Sequence, residues 1–529
     1  MNNVLMRAIL FIAPFLFLFS CSTRTGTEEK RPPNILFIAA DDLKPMLGCY
    51  GDEKIHSPRI DELAAGGTVF MNNHCQVALC GPSRASLLTG KYPDHTRIWG
   101  FDMIRDANPD IITLPQYFKE RGYTTVNISK IFDYRTVDRY MDSISWSWRY
   151  FPMGDGDMEK WYPEETGGVT CYFYHSEKVK KEWEIRSEEA RQKGLAPIPY
   201  THSFIKPATE CLDLPDHAYK DGVFALKAMS DLQRLAEEGK PFFLAVGFER
   251  PHLPWTAPKK YWDMYDPDSI KTAPFKELAQ HDRAYFYTTS NELRTYTDEA
   301  GNDLYGPLKD RVLLSEAAQR KLIHGYMAAV TYIDTQIGMI LDKLEESGEA
   351  ERTIVVLWGD HGWHLGDHGI WGKSTNFEQA TRSPLIIRVP GMKACVVNSP
   401  TEFIDIFPTL CELAGLEVPS DLDGQSLLKV MNGNEDPENR YAFSQFTRGE
   451  KMGYAIRGDR YRYVEWVETG RHVDPDAAYD RVTDRQLFDY RYDPLETINI
   501  AGEDSARQVV LQMAKSLRQW QEGLVMQTD

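Results

Sequence analysis

The chain has 529 residues, 42% of them apolar and 26% charged, with a formal charge of −18. That length can bury a large core, in two domains or in one large domain with an appendage. The acidic balance argues against a general nucleic-acid binder, so no nucleic-acid partner is expected; it is compatible with a local basic cleft for an anionic substrate and with acidic residues that hold a metal.

In chain order, Arg7 precedes an apolar run over 8–19, the length of a signal-peptide core and short for a membrane span. Leu18-Phe19-Ser20-Cys21 resembles a bacterial lipobox, with Phe19 where a small residue is usual. Residues 1–21 are read as signal peptide and lipobox, with simple secretion as the alternative, and 22–32 as a flexible tether. Either way an exported protein is expected, periplasmic or outer-membrane, anchored through a lipid on Cys21 if the lipobox is used.

An unbroken apolar run over 34–40 predicts a buried parallel strand that ends in Asp41-Asp42. Adjacent carboxylates repel each other unless a cation sits between them. An amphipathic helix follows over 57–67. Then comes Cys80-Gly81-Pro82-Ser83-Arg84-Ala85-Ser86-Leu87-Leu88-Thr89-Gly90. It reads as a loop feeding a helix N-terminus, with Pro82 in the first turn and Gly90 past the end. Such a terminus presents free N–H groups and a positive dipole end to an anion, and Arg84 adds a planar cation suited to sulfate or phosphate oxygens. A lone cysteine is most often a buried, inert thiol; the neighbours of Cys80 give it a chemical reading.

A helix over 114–122 and a strand over 123–128 deliver Ser129-Lys130. Residues 134–215 are rich in Trp, Tyr, Pro and charge without clear period, an elaborated region expected to rim an active site, with Trp146, Trp148, Trp161 and Tyr162 able to stack sugars. A helix over 219–238 precedes a buried strand over 241–248, which ends in Glu249-Arg250-Pro251-His252. After a loop-rich stretch over 256–312, a long helix over 317–348 and a strand over 353–357 lead into Asp360-His361, with Lys373 beyond. A strand over 384–389, a helix over 401–415 and a linker over 418–440 complete the main domain, 33–425. A smaller α+β unit over 436–529 has strands at 453–456 and 461–466 and a final helix over 505–522. The expected fold is therefore α/β, a doubly wound mixed sheet flanked by helices, with a smaller C-terminal α+β subdomain. Eight cysteines include no C-x-x-C; Cys171 with Cys211, bracketing the insert, is the favoured disulfide.

Asp41-Asp42, Lys130, His252 and Asp360-His361 all follow predicted strands, and in a doubly wound sheet such positions converge on one edge. At this point the residues carry a family. The C-x-P-S-R-x-x-x-L-T-G signature stands intact as Cys80 to Gly90, and the chain resembles the type I sulfatases of the alkaline-phosphatase superfamily from about Asn34 to the C-terminal unit. Within them it is most similar to the iduronate-2-sulfatases, through Asp41-Asp42-Leu43-Lys44-Pro45, Thr331-Tyr332-Ile333-Asp334-Thr335-Gln336, Asp360-His361-Gly362-Trp363 and Lys373-Ser374-Thr375-Asn376.

The resemblance implies that Cys80 is oxidised by a formylglycine-generating enzyme and that the hydrated aldehyde is the nucleophile. It implies one calcium ion held by Asp41, Asp42, Asp360, His361 and modified Cys80. Arg84 would hold the formylglycine, and Lys130, His252 and Lys373 would bind sulfate and assist proton transfer. The implied activity is hydrolysis of sulfate esters in sulfated glycans, most specifically 2-O-sulfated uronic acid in glycosaminoglycan degradation. Sulfated algal polysaccharide is the rival substrate, a phosphonate or phosphate monoester hydrolase the rival enzyme, and a dead-site polysaccharide-binding protein the rival class. One position departs from the iduronate type, which usually carries Lys-Val-Phe-His where this chain has Lys130-Ile131-Phe132-Asp133. If Asp133 lines the pocket, proton delivery or sugar recognition differs.

Overall fold

The 34–40 run forms strand β1 (Asn34–Ala40), and every residue of it is buried. Its side chains alternate between two apolar layers. Leu36, Ile38 and Ala40 pack into one core, and Ile35, Phe37 and Ala39 into the other. A strand covered on both faces reads as continuous apolar sequence, which is why the run has no polar alternation. Truncating Ile38 to Ala in such a layer is expected to cost about 2–5 kcal/mol.

The computed structural model describes residues 31–163, 174–287, 292–304, 314–434, 440–469 and 481–526. The expected leader, Cys21 and most of the tether lie outside the described residues, as does Cys171; Cys211 is an exposed free thiol. The other main strands are β2 (Thr68–His74), β3 (Thr124–Ser129), β4 (Phe242–Phe248), β5 (Thr353–Gly359), β6 (Leu385–Arg388) and β7 (Cys395–Glu402). They form one seven-stranded sheet in the order β7-β2-β6-β5-β1-β4-β3. β3, β4, β1 and β5 run parallel, and β6 is antiparallel to both of its neighbours. This is the expected mixed, doubly wound sheet.

Helices α1 (Pro58–Ala65), α2 (Cys80–Thr89), α3 (Lys220–Glu238), α4 (Glu316–Glu346) and α5 (Ile406–Leu413) flank it. α3 and α4 pack on the Leu36 face, whereas Leu87 and Leu88 of α2 pack on the Phe37 face. α2 ends where the sequence predicts: Gly90 adopts φ +66° and donates its N–H to Ser86 O at 2.8 Å.

A second, antiparallel sheet runs β8 (Ala442–Arg448), β9 (Lys451–Arg457), β10 (Tyr461–Glu468) and β11 (Val482–Asp489) in sequence order, backed by helix α6 (Arg507–Met526). Residues from Pro33 on form one compact unit. The second sheet braces the loop after Lys373: Asn376 Nδ2 donates to Gly453 O at 2.9 Å, and Arg462 bonds Asn376 O and pairs with Glu378.

Three sequence expectations change. Strand β7 was not foreseen, because Asn398-Ser399-Pro400 interrupts its apolar alternation and its register shifts there. The stretch over 418–440 is not a bare linker; it carries a short helix, Leu428–Met431, and buries Leu427, Val430 and Met431 against the main core. The insert over 134–215 holds a regular helix, Glu177–Gln192, mostly charged and buried only at Val179, Ser187 and Ala190.

Candidate active site

Strand ends assemble the floor of the site. Asp41 and Asp42 follow β1, Lys130 follows β3, His252 follows β4 and Asp360-His361 follow β5, all at the carboxyl ends of parallel strands. β3 and β4 come unusually close there: a Cβ on Gly247 would sit 2.2 Å from Lys130 O, so only glycine fits beside the lysine. Asp42 and Ser129 adopt φ of +61° and +59°, and Ser374, next to Lys373, +65°, a backbone geometry that non-glycine residues keep mainly at functional sites.

The fully buried Arg84 knits these ends together. Its Nε donates to Asp360 Oδ2 at 3.0 Å, its Nη2 to Asp41 Oδ1 at 3.1 Å, and its Nη1 to Lys130 O and, at 3.0 Å, to Ile131 O. Asp42 N–H donates to Asp360 Oδ1 at 2.9 Å. Lys130 Nζ donates to Asp41 Oδ2, and Lys373 Nζ to Asp42 Oδ1, each at 2.6 Å. Burial would raise the Asp41 carboxyl, but Lys130, His252 and Arg84 hold it well below the usual carboxylate range. Burial wins at Asp42, whose carboxyl is raised.

Cys80 opens α2 at the centre. Its Sγ lies 3.3 Å from His361 Nε2 and accepts from Lys373 Nζ at 3.3 Å. Burial, reinforced by Asp41, pushes the thiol well above its ordinary pKa, so it is a poor thiolate nucleophile as it stands.

The buried carboxylates Asp41, Asp42 and Asp360 offer oxygens within 4.8 Å of one another, and Asp42, Cys80 and His361 do the same with mixed donors. Asp42 Oδ2 is buried with no hydrogen-bond partner. A buried, orphaned carboxylate oxygen beside two further carboxylates fits a hard divalent cation. The structure thus brings together every predicted site residue: Asp41, Asp42, Cys80, Arg84, Lys130, His252, Asp360, His361 and Lys373.

Above the floor lies a cavity of about 530 Å³, lined by Cys80, Lys130, His252 and Lys373 among others. His252 Nδ1 faces Leu253 O at 2.6 Å, and its Nε2 lies 3.0 Å from Glu292 Oε1. Burial would lower His252, but Glu292 and Asp42 outweigh it and raise it, which favours the protonated ring. Glu292 also reaches Lys373 Nζ at 3.3 Å. Sequence reasoning missed Glu292, which lies in a loop-rich stretch with no period to flag it.

Asp133 does not line the cavity. It is fully buried and turned onto Arg135, which does. The proposed sugar-stacking aromatics are elsewhere as well. Trp146 is buried in the core with its Nε1 on Met141 O, and Trp161 and Tyr162 pack on the opposite core. The aromatic rings that line the cavity are Phe101, Tyr134, Tyr150 and Tyr296.

Residues 33–416 match the Sulfatase family, and 366–523 match the C-terminal family of N-sulphoglucosamine sulphohydrolase. The iduronate 2-sulfatase of Homo sapiens is 31% identical, over 94% of this chain and 96% of that protein. A solved structure in complex with its substrate D-glucosamine-2-N,6-O-disulfate superposes with a TM-score of 0.69 at 21% identity, over 93% of this chain and 98% of the other. A phosphonate monoester hydrolase from Silicibacter pomeroyi superposes with a TM-score of 0.65 at 24% identity, over 92% and 94%. With the signature helix, the strand-end carboxylates and these matches in register, the chain belongs to the sulfatase family and is a sulfuric ester hydrolase.

Proposed function

We propose that this enzyme is a calcium-dependent sulfatase that removes the 2-O-sulfate of uronic acid residues in heparan- or dermatan-type glycans, with a formylglycine made from Cys80. The observation that carries the substrate class is similarity to iduronate 2-sulfatases along nearly the whole chain. The aldehyde is favoured by the poor nucleophilicity of the buried Cys80 thiol.

When present, the formylglycine supplies a nucleophilic oxygen and the calcium supplies charge at the sulfate. Asp41, Asp42, Asp360 and His361 would hold the ion. Arg84 fixes the floor and, buried, excludes water from beneath it. Lys130 and Lys373 present ammonium groups to the ester oxygens, where negative charge is concentrated as the bond to the sugar breaks. His252 donates its Nδ1–H to Leu253 O, so Nε2 carries a proton only in the imidazolium form that Glu292 and Asp42 favour, and from that form it can deliver the proton to the departing sugar oxygen.

We also propose that the enzyme is exported by its leader sequence, as a bacterial lipoprotein of the periplasm or outer membrane with Cys21 as lipid site or, alternatively, by simple secretion, with a formylglycine-generating enzyme as maturation partner. Lipid labelling lost in Cys21→Ala is expected; labelling that persists in that variant would remove Cys21 as the lipid site, and no labelling of the wild type would leave simple secretion.

The test of the activity is sulfate release from defined disaccharides, with Cys80→Ala as control. Release from 2-O-sulfated uronate is expected. Activity confined to 6-O- or N-sulfated substrates overturns the uronate assignment, and activity confined to algal polysaccharide redirects it. Faster turnover of an aryl phosphonate than of an aryl sulfate makes the enzyme a phosphonate hydrolase.

A further inference from the structure

Two cations of the cavity stand outside the set that faces the sulfate. Arg135 donates from Nε and Nη2 to Asp133 Oδ1 and Oδ2, each at 2.8 Å, and its guanidinium lies 3.5 Å from the centre of the Phe101 ring. Asp133 is fully buried behind it, and although burial raises its carboxyl, Arg135 and Lys130 hold it down at about 2. The brace is therefore ionised throughout the working range. It locks a flexible arginine into one orientation, so little side-chain entropy is left to lose when its remaining edge meets a ligand. Phe101 itself lines the cavity, which places the guanidinium face at the pocket surface.

Lys206 comes from near the other end of the insert in sequence and lines the same cavity. Its Nζ donates to Thr295 Oγ1 at 3.2 Å and lies 3.8 Å from the centre of the Tyr296 ring. Among the described residues no carboxylate lies within ion-pair distance of it. An ammonium partly withdrawn from water, resting on a ring and a hydroxyl with only the more distant Glu292 as counter-charge, is left room for an anionic ligand.

We infer that Arg135, held by Asp133, and Lys206 form an anion-recognising wall of the substrate cavity, so that the preferred substrate carries a second negative group beside the reacting sulfate. A uronate carboxylate and a sulfate on the neighbouring sugar share the required chemistry. This inference rests on the sulfated-glycan reading above. On a uronate ring the C2 sulfate and the carboxylate on C5 stand across the ring from each other, which suits one anion on the floor and another on the wall.

The test measures binding to the Cys80→Ala protein by calorimetry, so that it needs no turnover. The probes are a disaccharide with 2-O-sulfated uronate, the same compound with its carboxyl reduced to an alcohol, and that reduced compound with a 6-O-sulfate on the hexosamine. Arg135→Gln and Lys206→Gln in the same background are expected to reduce the preference for the doubly anionic probes over the singly anionic one by about ten- to hundredfold. Arg135→Lys should recover part of that preference. Sensitivity to the carboxyl probe assigns the wall to a carboxylate, and sensitivity to the 6-O-sulfated probe alone assigns it to a second sulfate. Equal affinities for all three probes, no binding of any, or variants that weaken all three equally overturn the wall. If charge-dependent binding stands while the wild-type enzyme releases no sulfate, the hydrolytic reading fails and the wall survives.

Discussion

On the floor of the cavity, Asp41, Asp42, Lys130, Asp360 and His361 hang from the ends of parallel strands, whereas on its wall Arg135 and Lys206 come from connections between elements and Glu292 from a single 3-10 turn. Floor side chains are mutually buried and multiply partnered: Arg84 alone joins Asp41, Asp360 and the Lys130 carbonyl. On the wall Arg135 has a single carboxylate partner, Asp133, and Lys206 rests on a ring and a hydroxyl, which leaves charge for a ligand. Glu292 reaches down to His252 and Lys373 of the site. A change on the floor leaves uncompensated charge in a low-dielectric site, while a change on the wall is met largely by water. Floor variants should therefore act on every substrate and on stability, and wall variants on the choice of substrate.

The largest expected effect breaks this comparison at its centre. Cys80→Ala should lower turnover by roughly 10⁵-fold with the melting temperature nearly unchanged, since nucleophile removal is costly and the residue is small; a drop below tenfold would show that Cys80 is a bystander. Next, Arg84→Ala strands Asp41 and Asp360 and should destabilise the fold by about 3–5 kcal/mol in denaturant unfolding. A loss well under 1 kcal/mol would mean the floor is not held by its arginine. Third, calcium at one hundred times its dissociation constant should stabilise the protein by about 2.7 kcal/mol, and Asp42→Asn should remove most of that gain. An equal gain in the variant would place the ion elsewhere.

The smallest effect lies in the insert beside the wall. Burial pushes Glu210 up to about 7 from 4.5, against hydrogen bonds from His175 N, Ser176 N and Tyr219 Oη. The folded protein thus holds this proton more tightly than the unfolded chain, so the stability it contributes is present below pH 4.5 and lost as pH rises through about 7. Melting of Glu210→Gln relative to wild type should therefore improve steadily across that window. A difference that is flat or falls with pH contradicts the assignment.

The same division explains what the sequence disclosed. The floor was legible because a buried parallel strand writes itself as an apolar run, and Ile35 to Ala40 or Phe242 to Phe248 announce both the strand and the position just past it. Pro82 and Gly90 mark the two ends of α2 in the same local way. The wall was not legible, because no local pattern says that Glu292 will meet His252 and Lys373, or that Asp133 will turn from the cavity to Arg135. The expected stacking role of Trp146 failed for a related reason: a large ring in an irregular segment is as well used in the core, where its Nε1 finds a carbonyl. Strand β7 was lost where Pro400 and a register shift interrupt its period.

In the proposed mechanism Cys80 is a precursor rather than the reacting group. Mass spectrometry of the peptide that carries Cys80, from protein made in a host with a formylglycine-generating enzyme, tests it most directly. An aldehyde at that position, trapped by a hydrazine reagent and rising in step with sulfate release, is the predicted result. Full activity in protein whose Cys80 is present only as the thiol would contradict it.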